Sequence, residues 1–197
     1  MAPKLNVIIG STRPGRVGPP VAKWISDLAV AHGKFDVELV DLADFKLPLL
    51  DEPDHPSRQQ YQHAHTKRWA ESVASADAFV FVTPEYDYFP PASLVNAIQY
   101  LLREWSYKAA GVVSYGGVSG GLRSTQMLRG LLGNLNAVAI TQSVPISFVS
   151  KFIGEDGAFH PSEQTAAGAA VMLDELHKWT GALQTLRPPV VAAQAAA

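Results

Sequence analysis

Three short stretches of the chain concentrate residue types from which a binding chemistry can be built. The first is Gly10-Ser11-Thr12-Arg13-Pro14-Gly15-Arg16-Val17-Gly18. Its glycines let the backbone turn tightly and aim N–H groups at an anion. Ser11 and Thr12 add hydroxyl donors, and Arg13 and Arg16 suit a phosphate dianion. An ordinary glycine-rich turn with two solvated arginines is the competing reading. Two other anion loops are excluded by the letters. Gly15-Arg16-Val17 stands where a P-loop needs Gly-Lys-Ser/Thr, and Gly10, Gly15 and Gly18 do not have G-x-G-x-x-G spacing. The second stretch, Thr83-Pro84-Glu85-Tyr86-Asp87-Tyr88-Phe89-Pro90-Pro91, is aromatic enough to pack a flat apolar ligand while its amides meet polar ring atoms. A hydrophobic plug or a subunit contact would use the same residues. The third, SYGGVSGGLR at 114–123, has four glycines that clear side chains from a place where a ligand approaches backbone donors.

These stretches act together only if one fold edge gathers them, and the intervening sequence predicts such an edge. Residues 5–9 (LNVII) and 78–82 (AFVFV) are short apolar runs of the kind found in buried parallel strands. Residues 35–42 alternate and read as a strand nearer a sheet edge, 111–115 (GVVSY) as a fourth strand and 137–140 as a fifth. Helical spacing falls at 17–31, 60–76, 119–132 and 162–186. Another helix opens at Pro90-Pro91 and carries Leu94, Val95, Ile98, Leu101 and Leu102. Residues 43–60 read as loop. Strands alternating with helices across short connections predict an open parallel sheet covered on both faces, a three-layer α/β sandwich. Ligands of such sheets sit outside the carboxyl ends of the strands. The three stretches follow the first, third and fourth predicted strands.

With GSTRPGRVG at 10–18, TPEYDYFPPASLVNAI at 83–98 and SYGGVSGGLRS at 114–124, the chain resembles the NADPH-dependent FMN reductase family, a flavodoxin-like group that includes quinone, azo-dye and chromate reductases. The resemblance spans about residues 5 to 185. It implies a five-stranded parallel sheet in order 2-1-3-4-5 with helices on both faces, and a single FMN-binding domain over 1–187. Ser11, Arg13, Arg16, Val17 and Gly18 match the part that holds the FMN phosphate. Pro84, Glu85, Tyr86 and Asp87 match the segment lining the isoalloxazine ring, and Ser114, Tyr115, Gly116 and Gly117 the loop at the ring's polar end. Also implied are NADPH or NADH as co-substrate, a small electron acceptor, ping-pong kinetics and a homodimer or homotetramer with FMN near the interface. The cofactor carries the chemistry in such enzymes, so no catalytic side chain is assigned. The chain departs from the family at Asp87, where asparagine is usual, and at Phe89-Pro90, where a small residue precedes a non-proline. These departures motivate the alternative of a non-catalytic, regulatory FMN-binding protein.

Composition bounds the remaining classes. The 197 residues suffice for one domain with a substantial core, and 47% apolar with 17% charged suits a globular body. A net charge of −2 without charge blocks argues against a nucleic-acid partner. It argues mildly against an electron carrier that steers its protein partners by a strong field. The absence of cysteine removes disulfides and thiolate ligands. No apolar run reaches membrane-span length and no signal-peptide pattern opens the sequence, so the expectation is a cytoplasmic protein with no membrane partner. His63 and His65, with His55 nearby, read as surface histidines rather than metal ligands, and no metal is expected. The four tryptophans lie on or beside predicted helices and read as packing. The last ten residues, PPVVAAQAAA, are expected to fray.

Overall fold

Strands form where apolar runs can be covered on both sides. In the computed structural model, which describes residues 1–187, β3 (Ala78–Pro84) and β4 (Ala109–Tyr115) are buried at every position, and β1 (Lys4–Ile9) at every position after Lys4. β2 (Asp36–Asp41), in which only Val40 is buried, and β5 (Val138–Ile146), buried at Ile140, Val144 and Ile146, are more exposed, as edge strands are. All five are parallel, in the order β2-β1-β3-β4-β5 expected of a flavodoxin-like sheet. The expectation of a frayed tail over 188–197 lies outside the described residues.

Helices cover both faces. On one, α1 (Gly18–His32) and α6 (Glu163–Gln184) bury Val21, Ile25, Met172 and Leu176 against Leu5, Val7, Val80 and Val113. On the other, α3 (Ala64–Ser75), α4 (Ala92–Gln99) and α5 (Leu122–Gly133) pack Trp69, Leu94, Ile98 and Leu128 onto Ile8, Phe79 and Phe81. Trp105 completes this second core, 5.0 Å from Phe79 and 5.9 Å from Trp69 between ring centroids. The indole N–H groups of Trp69 and Trp105 both donate to α4 carbonyls, at 2.7 and 3.1 Å, so two large aromatics are buried without an unmet donor.

Several boundaries differ from the sequence reading, each for a local reason. α3 starts at Ala64 rather than residue 60 because Glu52 accepts the Gln62 and His63 amides at 2.7 and 3.0 Å and holds that segment outside the helix. A four-residue helix, α2 (Leu42–Phe45), interrupts the expected loop, capped by the Asp41 carboxylate on the Ala43 amide at 3.0 Å. α4 ends at Gln99, and Leu101 and Leu102 lie beyond it. The nearly buried Glu104 accepts the Leu102 amide at 3.2 Å and bonds Gln59 and Tyr61, each at 2.9 Å. α5 begins three residues later than expected because Gly120 and Gly121 adopt φ of +60° and +81°, outside helical space. β5 runs on to Ile146 past Thr141, Gln142, Ser143 and Pro145, an irregular edge that tolerates proline.

Candidate functional site

The loops after β1, β3 and β4 emerge together at the carboxyl edge of the sheet. Extra backbone bonds continue the ladder into them: Gly10 N–H to Val82 O at 2.9 Å, Glu85 N–H to Tyr115 O at 3.2 Å and Gly116 N–H to Ile146 O at 3.2 Å. The loops are therefore fixed relative to one another by the sheet itself.

In the first loop, Ser11 is fully buried and its hydroxyl lies 3.1 Å from the Tyr86 hydroxyl. Arg16 is turned back from the loop's open side. It donates to the Ser11 carbonyl and forks onto Asp41, at 2.9 Å to Oδ1 and 2.5 Å to Oδ2. Asp41 is beside the loop because the β1–β2 register sets it opposite Ile9. Arg13 is exposed, its guanidinium carbon 5.7 Å from the centroid of the Tyr86 ring. Val17 packs partly into the core and Gly18 begins α1. Pro19 and Pro20 follow, so two of the amides a helix usually offers an anion are missing. The helix dipole remains, and the missing donors must come from elsewhere.

Tyr115 offers a donor beside the start of α1. Its hydroxyl is buried, has no hydrogen-bond partner among the described residues, and would stand 3.0 Å from a Cβ placed on Gly18. Burial, reinforced by the neighbouring Tyr86, raises its pKa, so the phenol keeps its proton and faces α1 as a donor. An orphaned buried donor is costly unless an acceptor arrives.

The second loop is a tight hairpin turn. Tyr86 and Phe89 exchange both backbone bonds at 2.9 Å, with Asp87 and Tyr88 at φ of +48° and +76°. Pro84 is the last residue of β3. The Glu85 carboxylate is directed at α5 rather than outward. It is 8% exposed and accepts from Ser119 Oγ at 3.1 Å, the Arg123 amide at 3.0 Å and Arg123 Nε at 2.8 Å. In the third loop, Ser114 Oγ donates internally to the Gly120 carbonyl at 2.8 Å. Gly121 is confined: a Cβ there would lie 2.7 Å from Ser114 Cβ and 2.8 Å from Tyr115 N. Gly117 is the opposite case, with nothing within 4 Å of the space a Cβ would take.

Cavity volume does not mark this place. A cavity of about 670 Å³ lies along α1, lined by Trp24, Leu28, Leu39 and Phe159, and one of about 230 Å³ adjoins Thr12, Ser93 and Lys46. The three loops instead form an open edge of backbone and aromatic surface. Three participants are not singled out by the sequence motifs: Asp41, which holds Arg16, and Arg123 and Ser119, which hold Glu85. The usable signal for Asp41 was an acid ending the strand next to a loop with two arginines. His63 immediately precedes α3 and His65 lies in its first turn. Their rings stack at 5.2 Å and both face Asp51, with His65 Nε2 at 3.0 Å from Oδ1 and His63 Nε2 at 3.9 Å from Oδ2. Among the described residues no group of three His, Cys, Asp or Glu is placed to hold a metal.

The family model for NADPH-dependent FMN reductase matches residues 3–151. The chain belongs to that family. It is thereby assigned to the oxidoreductases that work with FMN and NAD(P)H. It is 43% identical over 129 residues to an NAD(P)H-dependent FMN reductase of Schizosaccharomyces pombe, across 64% of either chain. It is 34% identical over 149 residues to a quinone reductase of Escherichia coli, across 72% of this chain and 77% of that one. Among solved structures, the Paracoccus denitrificans flavoenzyme NAD(P)H:(acceptor) oxidoreductase superposes with a TM-score of 0.73 at 22% identity, covering 91% of this chain and 98% of the other. A flavodoxin from Streptococcus pneumoniae gives 0.57 at 15% identity, covering 88% and 98%. Both are likenesses of fold. The residues fit the family's cofactor: an unmet phenol donor and a helix dipole suit its phosphate, and an aromatic hairpin facing a bare glycine loop suits a flat ring.

Proposed function

We propose that this protein takes hydride from NAD(P)H onto bound FMN and passes the electrons to a small acceptor (a quinone, free flavin, azo compound or metal oxyanion), the two half-reactions alternating at one place. The observation that carries this reading is the orphaned Tyr115 hydroxyl facing Gly18 at the start of α1. In this reading Tyr115, Ser11, Arg13 and the amides around Val17 and Gly18 hold the phosphate. Arg16 holds the loop's shape from behind through Ser11 and Asp41. Pro84, Tyr86 and Asp87 line one side of the ring, and Gly116 and Gly117 let the other side approach backbone. Glu85 and Ser114 fix the two loops rather than touch the cofactor. No side chain is asked to move a proton or attack a substrate; the chain orients the ligand and limits access to it.

The same reading includes one FMN-binding domain over 1–187, a cytoplasmic location, and association of two or four copies near the exposed hairpin. Tyr88 and Phe89, 60% and 57% exposed, support a covered hairpin. Light scattering at micromolar concentration tests the association, and a monomer would remove it.

An anaerobic absorbance spectrum of FMN-reconstituted protein, before and after NADPH, tests the function. Bleaching of the band near roughly 450 nm is expected. A bound flavin that stays yellow would mean a non-catalytic flavin-binding protein, and no bound flavin would sink both readings. Parallel double-reciprocal lines are expected in steady state, and intersecting lines would count against alternation at a single place.

A further inference from the structure

Arg123 stands where the hairpin meets α5, and its contacts are unusual for a residue on a helix's first turn. Its Nε is 2.8 Å from Glu85 Oε1, a carboxylate only 8% exposed, and its guanidinium carbon is 4.0 Å from the centroid of the Tyr88 ring. Its charge is already balanced by a partner that cannot turn to water, and one flat face is already used by an aromatic. Tyr88 needs such a partner. At φ +76° a tyrosine backbone is strained, and strain of this kind persists only where the surroundings over-determine it. Tyr86 ties the other side of the turn to Ser11. The hairpin is therefore held at both flanks, by the phosphate-loop serine and by the first turn of α5.

We propose that Arg123 is a positioning residue: paired with Glu85 and stacked on Tyr88, it fixes the height of the aromatic hairpin over the place where nicotinamide and acceptor enter, and it does not bind the 2′-phosphate of NADPH. This rests on the flavin reading above for its consequence, although the positioning itself is a property of the flavin-free chain. Tyr88 then forms a fixed wall of the entry, and its ring limits the thickness and width of what can stack there.

Hydrogen exchange in flavin-free protein reads the positioning directly, because the Tyr86 and Phe89 amides are protected only by each other's carbonyls, at 2.9 Å. In R123Q their exchange is expected to accelerate by roughly tenfold or more, with β3 amides unchanged. In steady state, KM for NADPH and NADH is expected to rise together by about three- to tenfold, with FMN affinity within about threefold of the parent. Adding Y88G, which removes the backbone strain, should restore protection of the Tyr86 amide without restoring KM. Unchanged exchange in R123Q would overturn the proposal. So would a rise in KM confined to NADPH, which would make Arg123 the phosphate anchor. Should R123Q fail to fold, R123K keeps a cation for Glu85 but loses the flat stacking face, and the same loosening is expected. Failure to bind flavin would end the functional reading while leaving the exchange result to stand or fall alone.

Discussion

A single phenol makes the sharpest residue-scale prediction, because its two effects have opposite signs. In flavin-free protein the Tyr115 hydroxyl is a buried donor with no partner among the described residues. Y115F removes that liability and keeps the ring's packing. Stability should rise by about 1 kcal/mol, a melting increase of roughly 2–4 °C in a chain of this size. On the proposed role of this hydroxyl in holding the phosphate, FMN affinity should fall by about tenfold, or 1.4 kcal/mol. Thermal melts without flavin and a fluorescence titration check the two halves, and a variant losing stability would show that the hydroxyl is satisfied some other way. Arg16 poses the reverse case. Its type and place were legible in the sequence, but its partner was not. Asp41 lies 25 residues further on and is delivered only by the Ile9–Asp41 register. Glu85 was likewise readable as a carboxylate at the binding edge. Its direction depends on α5 starting after Gly121, a boundary that left-handed glycines decide.

At the scale of elements, the glycines of the third loop separate shape from contact. Gly121 combines φ +81° with a Cβ position 2.7 Å from Ser114, so G121A should cost more than about 2 kcal/mol. G117A enters open space at ordinary φ and should stay within about 0.5 kcal/mol of the parent. If Gly117 faces the ring, that same variant weakens flavin binding measurably. Urea unfolding of both variants, with a flavin titration of the second, makes the comparison. Equal stability losses would mean that the loop is not held as described. Strands β1, β3 and β4 were the easiest elements to read, because both faces are buried and each run is mostly apolar, with Asn6, Thr83 and Ser114 the buried polar exceptions. β5 was cut short at residue 140 because its outer positions are polar and its pattern is that of an edge. The end of α4 was hidden by apolar Leu101 and Leu102, which stay in or near the core without being helical. Tertiary bonds from Glu52 and Glu104, not propensity, set the limits of α3 and α4.

For the molecule as a whole, Lys108 ties stability to pH. It is 6% exposed and its ammonium caps the end of α3 through Val73 O at 2.7 Å and Ala74 O at 3.1 Å. Burial chiefly, with Arg187 adding to it, lowers its pKa to about 7. The unfolded chain therefore binds more protons than the folded one between about 7 and the ordinary lysine value of 10.5. Stability from this group rises with pH across that window, by at most about 1.4 kcal/mol per pH unit. Urea midpoints at pH 7 and 9.5 should show the rise, and K108M should flatten it. A parent protein equally stable at both values would contradict the assignment. Tyr100 and Tyr115, both raised, oppose the trend only above the range tested.

Pro145 lies inside β5, one residue before the strand's end. Ile146 gives its carbonyl to Gly116, so Pro145, one residue earlier, turns the side where its N–H would be toward open solvent. The outer margin of β5 thus lacks a donor where an added chain would need one. On the opposite margin, Asp36 and Glu38 are exposed and negatively charged. The sheet is in this way discouraged from templating amyloid-like growth at either end. P145V should make the protein more prone to aggregate on heating, with little change in flavin binding, and turbidity at elevated temperature would reveal it.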